Sequence, residues 1–165
     1  MEHSQSVAVI AHALAVIRNE VYGGKADVLK TVLYAMYHET SEVMTGDLPT
    51  PVKYYNRSIH GAYKQLEKSA CEKITDMLPE ELKKGIAPFV LADEDSEEYR
   101  LVKAADRLSA YIKCLEELRS GNSEFSKAKK SIEADLRSRH MPEVEYFFEN
   151  FIPSFSLTLD ELEGF

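Results

Sequence analysis

Residues 96–119 read SEEYRLVKAADRLSAYIKCLEELR. Leu101, Val102, Ala105, Leu108, Ile112 and Leu115 recur at three- and four-residue steps, the period of an α-helix. So wide an apolar set fits a central helix contacted on several sides. Asp95 followed by Glu98 has the spacing of a capping box that would open it. Gly121 and Asn122 stop it. The flanks carry the same period. Val7, Ile10, Ala11, Leu14 and Ile17 stripe residues 4–20, and Gly23-Gly24 ends that helix. Asp27 fits an N-cap for a second helix running to about Met44. The loop Thr45-Gly46-Asp47-Leu48-Pro49-Thr50-Pro51 cannot continue it. A third helix over about 57–77 aligns Ile59, Ala62, Leu66, Ala70, Ile74 and Met77. Pro79 opens a short fourth helix, a charged one follows over 123–139, and Pro142 starts another through Asn150. Phe151 to Phe165 reads as an irregular packed tail. The expectation is an all-α bundle of six to seven helices in one domain, residues 1–165.

Composition narrows the function classes. The chain has 165 residues, 44% hydrophobic and 29% charged, so wholesale disorder is excluded. Its net charge of −8 argues against duplex nucleic acid or an anionic membrane as partner. A small phosphate-bearing ligand stays open, because a metal ion can supply positive charge. Cys71 and Cys114 make neither a disulfide framework nor a zinc knuckle and read as reduced thiols. No apolar run approaches the ~18 residues of a membrane span, and no secretory signal is recognisable. A cytoplasmic protein is expected.

Most settling motifs are absent: there is no phosphate-binding glycine loop and no Gly-x-Ser-x-Gly elbow. His38-Glu39-Thr40-Ser41-Glu42 begins like a zinc-peptidase motif, but Glu42 stands where the second His is needed. What remains is a dispersed set of metal-ligand types. His38, Glu39 and Glu42 can converge within one helical turn. His3 opens the first helix, and Asp106 lies at the edge of the long helix's apolar stripe, where a buried charge requires a partner or a metal. Two imidazoles and two carboxylates suit a borderline divalent cation such as Mn, Fe, Co, Ni or Zn. Spacing alone leaves His38-Glu39 between a ligand pair and a solvated helix end, and Asp106 between a ligand and a surface residue. His12, His60 and His140 read as structural or exposed.

Glu2-His3-Ser4, Tyr37-His38-Glu39-x-Ser41-Glu42, the loop Thr45 to Tyr54, and Val102-Lys103-x-Ala105-Asp106 occur in that order. In this the chain strongly resembles the bacterial 5′-deoxynucleotidases of the HD-domain phosphohydrolase superfamily. The resemblance covers the whole chain, including Lys113 to Leu118 and Phe151 to Phe155, and the loop is its most specific part. It implies a homodimeric, metal-dependent hydrolase that converts deoxyribonucleoside 5′-monophosphates to deoxynucleoside and phosphate. It implies His3, His38, Glu39 and Asp106 as ligands of one divalent ion, and Glu42 beside the attacking water. It implies Asp47, Leu48, Pro49 and Thr50 as the substrate loop. Other phosphomonoester substrates, or a helical dimer without turnover, are the alternatives.

Two departures stand against that pattern. The superfamily's His-Asp pair is here His38-Glu39, whose carboxylate is one methylene longer. The family also carries a helix upstream of the first ligand His, with an arginine for the phosphate and an aromatic near the sugar. Met1 stands two residues before His3, there is no Trp, and Arg18 lies too far down the first helix to replace that arginine. Both departures lead to an expectation of weakened catalysis.

Overall fold

The computed structural model describes residues 2–49, 52, 55–157 and 161. Among them there is no strand. The helices are α1 (Glu2–Glu20), α2 (Val28–Tyr37), α3 (Glu42–Thr45), α4 (Arg57–Asp76), α5 (Glu80–Val90), α6 (Glu97–Arg119), α7 (Phe125–Ser138) and α8 (Pro142–Asn150). A 3-10 turn, Ile152–Ser156, follows. The all-α expectation therefore holds: among the described residues lie seven helices of nine residues or more and the short turn α3.

The core is built where α1, α2 and α6 meet, with α8 against α1 and α7 against α6. Val7, Ala11, Leu14 and Ala15 of α1 face Leu101, Val102, Ala104, Ala105 and Leu108 of α6, all fully buried. The alanines let the two backbones approach closely, while each buried Leu contributes ~1.5–3 kcal/mol of apolar transfer. The wide stripe on α6 thus has its predicted cause: the helix is enclosed by α1, α2 and α7.

Polar links fix the loops between these helices. Asn19 exchanges two 2.9 Å bonds with the backbone of Ala26, pinning the turn after α1. Gly24 is required there, because a Cβ would lie 2.8 Å from Arg18 Cγ and 2.9 Å from its carbonyl oxygen. Glu98 of α6 accepts from the Asp27 backbone N–H and from Lys30 Nζ, both at 3.1 Å, tying α6 to the start of α2. Arg18 binds Glu97 through Nη2 at 2.8 Å and approaches Glu143 at 3.6 Å. Glu143 is only 3% exposed.

Three local expectations are corrected. The cap of α6 is Ser96, which accepts from Tyr99 N, and Glu98 is drawn to Lys30 instead of closing a box with Asp95. The stripe on α4 is only partly covered: Ile59, Leu66 and Met77 are exposed, and Tyr63, Ala70 and Thr75 are the buried positions. The second helix does not run to Met44. It stops at Tyr37 and resumes as α3 at Glu42. In between, Thr40 N–H and Glu42 N–H bond three residues back, to Tyr37 O and Glu39 O. Side chains drive the break, because Thr40 Oγ1 donates to Tyr37 O at 2.7 Å and competes with the helical ladder.

Candidate metal centre

Three helices bring the predicted ligands together. His3 comes from the first turn of α1, His38 caps the C-terminal end of α2, and Asp106 projects from the middle of α6. Because α1 packs on both α2 and α6, these positions meet at one end of the core. His3 Nε2 lies 3.1 Å from Asp106 Oδ1, and His38 Nε2 lies 4.0 Å from the same oxygen. The two rings are 5.6 Å apart. Among the described residues, His3, His38 and Asp106 form a set whose ligand atoms all lie within 4.8 Å of one another.

His38 supplies the test of fit. Its Nδ1 is 2.6 Å from the Ala35 carbonyl oxygen, which accepts only if that nitrogen carries the proton. Nε2 then holds a lone pair directed at His3 and Asp106. That atom is buried and has no hydrogen-bond partner. A neutral imidazole fixed by a carbonyl behind it, with a bare nitrogen facing a carboxylate, is what a divalent cation requires. The residues present fit such an ion.

Charge distribution agrees. The hydrogen bond to Asp106 raises the His3 pKa above its ordinary value against the effect of burial, and Glu39 and Glu42 add to the rise. Burial pushes His38 below its ordinary value, which favours the neutral ligand form. Burial would raise the Asp106 carboxyl, but the hydrogen bond from His3 and the charge of Lys103 work against it, and the carboxyl lies below the usual range.

Glu39 stands beside the trio, outside that converging set. One of its oxygens is 3.5 Å from His3 Nε2, and the other accepts from Ser4 Oγ at 2.9 Å. Its carboxylate lies against α1. Glu42 heads α3, half-buried, close enough for its charge to act on His3. After α3, Gly46 turns the chain at φ 68°, and Tyr63 OH donates to its carbonyl at 3.3 Å. Asp47 and Pro49 are exposed and Leu48 is half-buried. Thr50 lies outside the described residues. Among the described residues no hydrogen bond or ion pair joins Asp47, Leu48 or Pro49 to the trio.

Sequence reasoning missed three contributors: Ser4, the Ala35 carbonyl and Tyr63. Ser4 could have been suspected as the neighbour of His3. The Ala35 contact arises from backbone geometry and the Tyr63 contact from tertiary packing, and neither leaves a trace in residue spacing. Arg18, set aside as a phosphate ligand, is engaged by Glu97. Cys71 and Cys114 are free, and burial raises both thiols. Among the described residues no helix is long and apolar enough to cross a membrane.

Comparison with known proteins bears on the same residues. Residues 1–155 match the family described as 5′-deoxynucleotidase YfbR-like. The chain is 52% identical over 162 residues to a 5′-deoxynucleotidase of Vibrio cholerae, covering 98% of this chain and 84% of that protein. It is 54% identical over 164 residues to 5′-deoxynucleotidase YfbR of Escherichia coli, covering 98% and 81%. A crystal structure of an HD-domain phosphohydrolase from Listeria innocua superposes with a TM-score of 0.79 at 22% identity, over 98% of this chain and 79% of that one, and so shares the fold. A helical bundle with two imidazoles and a carboxylate converging at its end, matched over nearly its whole length, belongs to the YfbR-like 5′-deoxynucleotidase family.

Proposed function

We propose that this chain hydrolyses a deoxyribonucleoside 5′-monophosphate to the deoxynucleoside and inorganic phosphate, as one HD-type domain over residues 1–165. The observation that carries the reading is His38: a buried, unpartnered Nε2 directed at His3 and Asp106, in a member of this family.

His3, His38 and Asp106 would hold one divalent cation, with Glu39 as a fourth ligand once its carboxylate leaves Ser4. The donor set suits Mn, Fe, Co, Ni or Zn. When bound, such an ion lowers the pKa of water and offsets charge developing on the phosphoryl oxygens. The Ala35 carbonyl keeps His38 in the tautomer that offers Nε2. Glu42, one turn past His38, takes the proton from the attacking water as the new P–O bond forms. The bond from phosphorus to the sugar's 5′ oxygen breaks, and that oxygen leaves with a proton from solvent. Asp47, with Leu48, Pro49 and Thr50, accepts from a sugar hydroxyl and walls the sugar. Glu39 clasped by Ser4 favours one second reading, a family member with the fold and little turnover. We further read the protein as a cytoplasmic homodimer acting on small nucleotides, with neither duplex nucleic acid nor membrane as partner.

The test is elemental analysis and phosphate release from deoxy and ribo monophosphates, for the parent and Asp106→Ala. The variant should lose metal and activity while keeping helix content. A variant with full metal stoichiometry and turnover would overturn the assignment. A folded parent that takes up no metal would favour the second reading.

A further inference from the structure

Lys103 lies one turn before Asp106 on α6, so both side chains leave the same face of the helix. Its ammonium stands 5.3 Å above the ring of Tyr99, a further turn back. It lines a cavity of about 580 Å³ that reaches His38, and also a neighbouring one of about 810 Å³. Its side chain therefore shares with His38 the wall of a hollow that borders the candidate metal centre. Of the other lysines and arginines on these walls, Lys64 pairs with Glu94 at 3.0 Å, Arg18 with Glu97 at 2.8 Å and Arg139 with Asp135 at 3.0 Å, and Lys68 and Arg100 line them as well.

The charges assigned to the centre decide what a phosphate meets there. A divalent ion is neutralised by the carboxylates of Asp106 and Glu39, and Glu42 then leaves the neighbourhood negative. A phosphate monoester near neutral pH carries about −1.5 to −2 charges. The centre as a whole would repel it unless a fixed cation stood alongside. Arg18 cannot serve, because its Nε and Nη2 are already on Glu97. Lys103 already acts on Asp106 through its charge.

We propose that Lys103 binds the phosphate of the substrate, placing its ammonium on a phosphoryl oxygen beside the metal centre. This rests on the metal-centre reading above and adds a residue to it. Tyr99 holds the ammonium near this position by a cation–π contact and reduces the freedom lost on binding.

The experiment compares the full-length parent with Lys103→Met and Lys103→Arg, each loaded with manganese. Inorganic phosphate is titrated calorimetrically, and KM, kcat and metal content are measured with a deoxynucleoside monophosphate. Lys103→Met should weaken phosphate binding and raise KM by ~10- to 100-fold, the range for losing a charge-assisted hydrogen bond. Metal content should stay at the parent level, and Lys103→Arg should retain most of the affinity. Parent-like phosphate affinity in Lys103→Met would overturn the proposal. Loss of manganese together with phosphate affinity would also overturn it, by placing the role of Lys103 on Asp106. Should Lys103→Met not fold, Lys103→Gln enters the same titrations under the same criteria. A parent that turns over no nucleotide would defeat the hydrolase reading alone, since the phosphate titration still decides for or against Lys103.

Discussion

Glu39→Asp should tighten manganese binding about two- to tenfold. In the parent, Glu39 stands outside the converging trio, with one oxygen 3.5 Å from His3 Nε2 and the other accepting from Ser4 at 2.9 Å. An incoming ion must draw the carboxylate away from Ser4 before using it. Removing one methylene retracts the group by about one C–C bond, ~1.5 Å, and breaks the Ser4 contact. The competing bond joins a hydroxyl to a carboxylate whose side chain is 31% exposed, so it contributes ~0.5–1.5 kcal/mol. At about 1.4 kcal/mol per decade, its removal gives the stated range. Ser4→Ala removes the same bond without moving the carboxylate and should shift affinity in the same direction. Competition against a chelator of known affinity, with Mn and Co in turn, measures both variants, and phosphate release reports whether the tighter site is also faster. Weaker binding by Glu39→Asp beside an unchanged Ser4→Ala would mean the site is built around Glu, and the reasoning would fail.

Asp47→Ala should raise KM or lower turnover with metal content unchanged, and a variant with parent kinetics would reduce Asp47 to an ordinary turn residue. Arg18→Met should lower stability by ~3 kcal/mol, because it leaves the buried Glu143 without its cation at 3.6 Å. For a chain of this size that is a fall in Tm of about 6–12 °C, partly recovered in the double variant Arg18→Met/Glu143→Gln; an unchanged melt would show that the pair does not matter. Burial works to raise the Glu98 carboxyl, but bonds from the Asp27 N–H and Lys30 overcome it and hold the group below its ordinary 4.5. Its contribution is complete above pH 4.5 and is lost as pH falls through the lower folded value, so acid melts of Glu98→Gln should lack that part of the parent's decline; parallel curves would refute the assignment.

The helices were legible because burial in this bundle follows the 3.6-residue period, most plainly on α6, where Leu101, Val102, Ala105 and Leu108 are all fully buried. The period fails where a helix is only half covered: α4 looks amphipathic in sequence, yet Ile59 and Leu66 face outward. It also misses the break at His38, because the competitor is a Thr40 hydroxyl, and hydropathy does not register hydroxyl competition. The identities of His3, His38 and Asp106 came from motif order, since residues 103 positions apart carry no mutual spacing signal. Their convergence needed α1, α2 and α6 in place. The extra methylene of Glu39 was plain in the sequence, whereas the contact of its carboxylate with Ser4 depended on which face of α1 was adjacent.

The interruption between α2 and α3 can be measured as an angle. An α-helix advances about 100° per residue and a 3-10 turn about 120°. Each residue of the tighter winding therefore rotates everything downstream by roughly 20°. Glu42 and the loop that follows inherit that rotation, and Tyr63 clasps the Gly46 carbonyl in the rotated position. The number of residues in the segment 38–41 thus acts as a phase setting for the wall opposite His3. Substitutions there adjust contacts, but a single insertion or deletion after Glu39 would swing Glu42 by about 100° and turn the acid away from the centre while His3, His38 and Asp106 stayed in place.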